Sequence, residues 1–263
     1  MKFGTKLKAV LPLAIALATT LGAHASTITG ATATGFTTKY NLDASSSSAS
    51  LTDVLAGSYT APGANIELGR LGLANGILSG TVGTHSITMQ GLTYTDWFTP
   101  VNGITLAEKY IQGAATAFNI NISNMAATVA QFQTLDLDPR PTVAVNPWQF
   151  VSDPNISYVL DDINGALHIG LAGYFDASTF LTGLFGPIVP ANAQASEVVK
   201  VSLNGGGYQY LYAFSANQVR ADGTAVFSGN YDVQAVPEPT SIALLGLGLA
   251  GMAAMRRRKA KQA

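Results

Sequence analysis

The chain has 263 residues and a formal charge of −1 at pH 7, with 48% hydrophobic residues, 11% charged residues and no cysteine. Without cysteine the protein has neither a disulfide framework nor a thiol nucleophile, so it must depend on an ordinary hydrophobic core. Between residues 26 and 236, six lysines and arginines stand against fourteen aspartates and glutamates, a net charge of −8, which argues against a nucleic-acid partner because such partners bind basic surfaces.

Residues 1–25 have the three parts of a secretory signal peptide. Three lysines precede an uncharged, mainly apolar stretch, and Ala23 and Ala25 supply the small residues of an A-x-A cleavage site. We predict cleavage after Ala25 and export of the remaining chain, with the N-terminal lysines kept on the cytoplasmic side of the membrane.

Residues 26–58 are rich in serine, threonine, alanine and glycine, a composition typical of a flexible spacer or of weak edge strands. The main body of the mature protein is predicted at residues 59–235. It begins with short alternating runs between residues 65 and 98, separated by turn signals at Asn75 and Gly83. These runs predict β-hairpins.

A short helical pair is predicted at residues 105–134. Thr105 and Glu108 have the spacing of a capping box, and apolar residues then recur at helical intervals. Asn124 is the expected cap of a second, weaker helix. The proline-rich run that starts at residue 138 cannot continue a helix or an interior strand, so the pair ends before it.

The strongest β pattern begins at residue 155. An Asn-Gly pair at residues 164–165 separates two apolar runs, and this arrangement is a strong hairpin signal. On the second run, one face is expected to hold Leu167, Ile169, Leu171 and Phe175. Further strands are predicted at residues 197–203, 208–214 and 224–233, and the middle one carries four aromatic residues on one face: Tyr208, Tyr210, Tyr212 and Phe214.

These elements predict a mostly β fold. The expected architecture is an antiparallel sandwich, or an α+β domain in which the helical pair packs on the sheet. A signal peptide and a C-terminal membrane helix are expected at the two ends.

The titratable residues give no pattern typical of a catalytic or metal site. Once the signal peptide is removed, the remaining histidines are His85 and His168, which are 83 residues apart and have no further histidine or cysteine at ligand spacing. We interpret His168 as a partly buried histidine that is satisfied by the sheet. No G-x-S-x-G elbow is present, so we predict no catalytic residue, no metal ligand and no resident cofactor. Calcium stays open, although the loop at Asp162 lacks the remainder of an EF-hand.

Four residues are predicted as possible ligand contacts: Trp97, Trp148, Asp161 and Asp162. Paired carboxylates with aromatic platforms are typical of glycosidases, so an extracellular carbohydrate-active enzyme is an alternative. The aspartates fit turn chemistry equally well. Trp148 lies among prolines and is either a sugar-stacking platform or a core plug, and we favour the plug.

The C-terminal residues 236–263 form three parts in a fixed order. The first is the segment Val236, Pro237, Glu238, Pro239, Thr240, Ser241, which the prolines should keep extended and exposed. Residues 242–255 follow as fourteen uncharged residues, a predicted transmembrane segment of about 21 Å against a hydrocarbon core of about 30 Å. The third part is the basic stop Arg256, Arg257, Arg258, Lys259, which stays cytoplasmic.

This order of parts resembles the PEP-CTERM sorting signal of Gram-negative and cyanobacterial cell-surface proteins. The resemblance implies recognition by an exosortase, a membrane-embedded protease similar to cysteine transpeptidases, with removal of the tail and release or attachment of the body in the exopolysaccharide matrix. A plain C-terminal membrane anchor is the alternative. The proline-rich stretch 138–155 and the segment 186–190 resemble PEP-CTERM proteins without an assigned activity.

The sequence therefore predicts an exported cell-surface or exopolysaccharide-matrix protein that an exosortase sorts. Its expected partners are the exosortase, the matrix and, transiently, the inner membrane of a Gram-negative-type bacterium. The body is predicted to be a non-catalytic structural or adhesive module. The alternatives are a carbohydrate-active enzyme and an adhesin that binds calcium or a glycan.

Overall fold

The computed structural model describes residues 26–41, 45–59, 63–137, 145–162, 165–173, 177–191, 193–216, 218–219 and 229–236. The predicted cleavage site at Ala23 and Ala25, and everything after Val236, lie outside these ranges, as does Phe175. The predicted membrane segment 242–255 and its basic stop therefore lie outside the described residues. Within the described residues, no helix combines the length and apolar character needed to cross a bilayer.

The described chain contains eleven strands. They are β1 (Thr29–Gly35), β2 (Thr37–Tyr40), β3 (Asn65–Leu68), β4 (Gly76–Val82), β5 (His85–Gln90), β6 (Asn155–Asp161), β7 (Leu167–Gly173), β8 (Val199–Leu203), β9 (Tyr208–Leu211), β10 (Gln218–Val219) and β11 (Gly229–Ala235).

Six helices accompany the strands in the described ranges. They are α1 (Leu51–Val54), α2 (Tyr94–Phe98), α3 (Leu106–Ala117), α4 (Met125–Thr134), α5 (Pro147–Phe150) and α6 (Ser178–Phe185).

The strands form two antiparallel sheets, which confirms the mostly β prediction. Sheet I has the order β1-β4-β5-β8-β9, and sheet II has the order β10-β11-β7-β6-β3-β2. Residues 26–58 contribute β1 and β2, each at the edge of a sheet, together with α1.

The two sheets pack face to face over an aliphatic core. Alternate residues of each strand point into it, as the period of two requires. Leu167, Ile169 and Leu171 are fully buried there, as the alternation in β7 predicts. Sheet I supplies Leu78 and Met89 to the same core. This layer makes the strand part of the body a β-sandwich.

The helices enclose a second core, which is rich in aromatic side chains. α3 begins with the predicted capping box, in which Thr105 and Glu108 bond reciprocally, and Asn124 caps α4 as expected. The sequence does not predict α5, a short helix that begins at Pro147 among the prolines around Trp148. We call the second core, which the helices enclose, the aromatic core. Its largest members are Trp97, Tyr110, Phe132, Trp148 and Phe180.

The aromatic residues around β9 divide between this core and solvent. Tyr210, Tyr212 and Phe214 pack against the aromatic core. Tyr208 is 53% exposed, with the Lys200 ammonium 4.2 Å from its ring centroid.

Candidate functional site

The two predicted tryptophan contacts lie inside the aromatic core. Trp97 is fully buried, and its indole Nε1–H donates to Ser152 Oγ at 2.8 Å. Trp148 is 6% exposed and makes edge contacts with Tyr94 and Phe98. Gly72 covers its ring so closely that a Cβ there would lie 2.4 Å from Trp148 Cζ3. These positions favour the core plug over a sugar-stacking platform.

The two predicted aspartate contacts lie at the end of β6 and at the start of the turn that follows it. Asp161 Oδ1 accepts a hydrogen bond from the Ser26 backbone N–H at 2.6 Å. Asp162 Oδ1 accepts from the Ala166 N–H at 2.9 Å, and Asp162 Oδ2 lies 3.8 Å from His168 Nε2. The structure therefore places both carboxylates in local backbone and side-chain contacts.

The structure does not bring the tryptophans and the aspartates together. Trp97 bonds to Ser152, which lies just before β6, whereas Asp161 is the last residue of β6. A strand of this length spans about 20 Å. The two tryptophans therefore lie near the start of β6, and the two aspartates lie at the opposite end of the sandwich.

A polar cluster occupies the outer face of sheet II. His168 Nδ1 lies 2.6 Å from Asp232 Oδ2, and the Tyr158 hydroxyl donates to Asp232 Oδ1 at 2.8 Å. The bond to Asp232 is the main reason why the pKa of His168 is raised above its usual value. The buried His168 is thus satisfied by its neighbouring strand, in keeping with the sequence interpretation.

Three carboxyl groups gather where the chain passes between the two cores. Glu197 is 3% exposed and Asp153 is 8% exposed. Desolvation by burial raises the pKa of Glu67 to about 7 and that of Asp153 to about 6. Burial likewise raises the pKa of Glu197 well above its usual value, and the neighbouring charge of Asp153 adds to the effect. These carboxyl groups therefore stay protonated up to a higher pH than ordinary surface carboxyl groups do.

Asn155 anchors this group of acids, but one of its atoms has no partner. Its backbone N–H donates to Glu197 Oε2 at 2.7 Å, and its Nδ2 donates to the same carboxyl group. Its Oδ1, like Asn65 Oδ1, is buried without a hydrogen-bond partner. Even so, no set of three or more histidine, aspartate and glutamate side chains in the described ranges is arranged to hold a metal ion.

The most informative position for function is the junction between the body and its tail. Val236 follows the last residue of β11. Gln209 Nε2 donates to the Val236 carbonyl at 2.6 Å, and the Val236 N–H donates to Gln209 Oε1 at 3.0 Å. Both backbone groups of Val236 are therefore held by one side-chain amide, which we call the Gln209 clasp.

The local sequence explains why the Gln209 clasp forms at Val236. Pro237 disfavours a helical conformation of the residue before it, so Val236 is extended. In an extended residue the N–H and the C=O point to the same side, where one primary amide can bond both. Gln209 lies on β9 of sheet I, so the Gln209 clasp joins the two sheets at the point where the body ends.

Sequence reasoning missed Gln209, Glu67 and Glu197. Glu67 stands between Ile66 and Leu68 in a strand, and Glu197 precedes two valines. An acid inside an apolar run was the available signal for burial. Nothing in the sequence pairs Gln209 with Val236, because their contact depends on how the two sheets meet.

Comparison with known proteins matches only the end of the chain. Residues 235–259 fit the model of the PEP-CTERM protein-sorting motif. No curated protein matches the chain, and no solved structure does. The match begins at Ala235, the last residue of β11, and includes the Gln209-clasped Val236. Residues 235–259 thus carry the PEP-CTERM protein-sorting motif, as the sequence predicted, and this motif implies an exported bacterial protein of the cell envelope or surface that an exosortase sorts.

Proposed function

We propose that this chain is the precursor of a cell-surface or exopolysaccharide-matrix protein whose mature body has a non-catalytic structural or adhesive role. The observation that carries the proposal is the position of the sorting motif. It begins on the last residue of β11, so a cut within residues 236–241 would remove the tail without disturbing a strand.

The junction favours recognition by a protease. Pro237 and Pro239 remove backbone donors and favour an extended chain, and the Gln209 clasp fixes Val236 at the start of that segment. The predicted membrane segment and basic stop would hold the precursor in the inner membrane until the exosortase acts. The mature body would then enter the envelope or the matrix.

Fractionation of the native host with and without its exosortase gene tests this proposal. We expect a shorter protein outside the inner membrane in the parent strain and a tail-bearing protein held in the membrane of the mutant. Pro237→Ala combined with Pro239→Ala should reproduce the mutant pattern, whereas the control Pro187→Ala, outside the motif, should not. An unchanged mass and location in the exosortase mutant would refute the proposal.

A carbohydrate-active enzyme is the second candidate, and the acids beside the aromatic core favour it. Glu67 is half-buried with a pKa of about 7, which suits a general acid at neutral pH, and Asp153 is close enough to raise that pKa further. Incubation of the mature protein with the host exopolysaccharide distinguishes the candidates. New reducing ends that disappear in Glu67→Gln would support the enzyme. If no new reducing ends form, the result would support the non-catalytic body.

Adhesion through calcium is a variant of the leading proposal. The unpartnered Oδ1 of Asn155 beside Glu197 supplies the kind of oxygen that calcium prefers. A ligand that binds only the folded protein raises its melting temperature. A rise at millimolar calcium that is lost in Asn155→Ala would support this variant, and no shift would count against the ion.

A further inference from the structure

The first described residue of the body is held against the end of β6 by several bonds. The Ser26 N–H donates to Asp161 Oδ1 at 2.6 Å, and the Asp161 N–H donates to the Ser26 carbonyl at 3.1 Å. Thr27 forms an antiparallel bridge with Leu160. Ser26 is therefore fixed by main-chain pairing, and its nitrogen points at a carboxylate.

Among the residues that the structure describes, the Asp161 carboxylate has no cationic partner. None of the ion pairs among the described residues involves Asp161. On its other side lies Gly83, which has φ +55°, and a Cβ there would come within 2.2 Å of Asp161 Oδ2. The turn between β4 and β5 thus makes room for the carboxylate and offers no side chain to it.

We propose that Asp161 is the binding site for the α-ammonium group of Ser26 that removal of the leader creates. This inference rests on the proposed export and on cleavage after Ala25. Hydrolysis adds water across the peptide bond between Ala25 and Ser26, so the leader leaves with a carboxylate and Ser26 gains an amine that takes up a proton at neutral pH. A neutral N–H donor then becomes a cation at the same carboxylate.

The change strengthens a contact that already exists. A hydrogen bond in which both partners are charged is shorter and stronger than a neutral one, and the N–H already lies at a charge-assisted distance from Asp161. If the mature chain began at Thr27, its ammonium group would lie one residue farther along the segment that pairs with β6, away from Asp161. The site is therefore specific for a chain that begins at Ser26.

Both processing junctions leave the body at the same end. Asp161 pairs with Leu167, and Leu167 pairs with Ala235, the residue before Val236. The three strands are neighbours, so Asp161 and Ala235 are separated by two strand spacings, about 10 Å. A precursor held in the membrane by its leader and its tail would be attached through this one end, and the ammonium would form there.

Titration of the α-amine tests the proposal on mature protein purified from its host. Mass spectrometry first establishes the N-terminal residue, and the rate of amine labelling against pH then gives the pKa of that amine. We expect a start at Ser26 and a pKa raised by roughly half a unit to one unit above the ordinary 7.7–8.0. Asp161→Asn should restore the ordinary value, whereas the control Asp136→Asn should not, although Asp136 also accepts a backbone N–H.

A salt titration of the unsubstituted protein gives the same test without a variant. At about 1 M salt the raised pKa should fall toward the ordinary range, because surface charges are screened. A chain that starts at Ser26 with the same α-amine pKa in the parent protein and in Asp161→Asn would overturn the proposal. A start at another residue after a removed leader would overturn it too but leave export intact, and a chain that still begins at Met1 would refute export itself.

Discussion

The two cores of this protein are built from different kinds of side chain. The aliphatic core between the sheets is filled by valine, leucine and isoleucine, with Tyr231 as its one fully buried ring among the described residues. In the aromatic core, Trp97 packs edge-on against Tyr110 and Phe132, with ring centroids 5.7 Å and 5.1 Å away. Aliphatic side chains can be buried without a hydrogen-bond partner. The indole N–H of tryptophan and the hydroxyl of tyrosine need such a partner when they are buried.

The partners of the aromatic core lie in a polar seam between the two cores. We define the seam as the buried residues Ser152, Asp153, Asn155, Ser196 and Glu197. Trp97 donates to Ser152 Oγ, and the Tyr110 hydroxyl donates to the Ser196 carbonyl. The seam lies at two of the places where the chain passes from the aromatic core to the aliphatic core, and burial raises the pKa values of its acids.

The largest expected effect comes from removing a ring of the aromatic core. Trp97→Ala should cost about 3–5 kcal/mol of unfolding free energy, because it empties a fully buried site. Trp97→Phe keeps a ring but leaves Ser152 Oγ without its donor, and should cost about 1–3 kcal/mol. Denaturant unfolding measures both, with Leu78→Ala as the matched change in the aliphatic core. A Trp97→Phe protein as stable as the parent would show that the bond to the seam contributes nothing.

The next effect concerns Asp153 of the seam and the neighbouring Glu67. The folded pKa of Asp153 is raised to about 6, so its contribution to stability is present below about pH 4 and is lost as the pH rises to about 6. We expect this loss to be about 2–3 kcal/mol and to vanish from the pH profile of Asp153→Asn. Glu67→Gln should instead remove the part of the decline that extends to about pH 7. A parent protein with flat stability between pH 4 and 7 would contradict this account.

A smaller effect is expected at the outer face of sheet II, outside both cores. His168 has a raised pKa because of its bond to Asp232, so its contribution is complete below about pH 6.5 and is lost as the pH rises through the folded pKa. His168→Gln should therefore cost about 1–3 kcal/mol at pH 5.5 and less at pH 9. Thermal unfolding at the two pH values checks this. An equal cost at both would show that packing, and not charge, is what the histidine provides.

The smallest effect belongs to the Gln209 clasp, which touches neither core. Gln209→Ala should change the unfolding free energy by no more than about 1 kcal/mol. It should nevertheless speed hydrogen exchange at the Val236 N–H by about fivefold, since that N–H loses its acceptor. The control is Gln112→Ala on the exposed side of α3. Unchanged exchange at Val236 would mean that the Gln209 clasp does not hold the junction.

Local patterns in the sequence predicted the features that depend on neighbouring residues. The alternation in β7 correctly assigned Leu167, Ile169 and Leu171 to one face, and the spacing of Thr105 and Glu108 located the start of α3. The sorting motif was also readable, since its parts follow one another along the chain. Asn146 and Gln149 form a capping box around Pro147, which is a local signal of the same kind for α5.

Features that depend on distant contacts could not be predicted in the same way. A bulge between Ile156 and Tyr158 shifts the register of β6, so Val159 enters the aliphatic core and Tyr158 reaches Asp232 on the opposite face. The seam joins acids more than forty residues apart, Asp153 and Glu197. Such contacts depend on how the sheets assemble, and the periodicity of neighbouring residues in the sequence does not reveal that assembly.

The intact mass of the protein recovered from its own host tests the central claim most directly. Processing at both ends predicts a polypeptide outside the inner membrane that begins at Ser26 and ends within residues 236–241. A full-length polypeptide in the cytosol, running from Met1 to Ala263, would contradict the account.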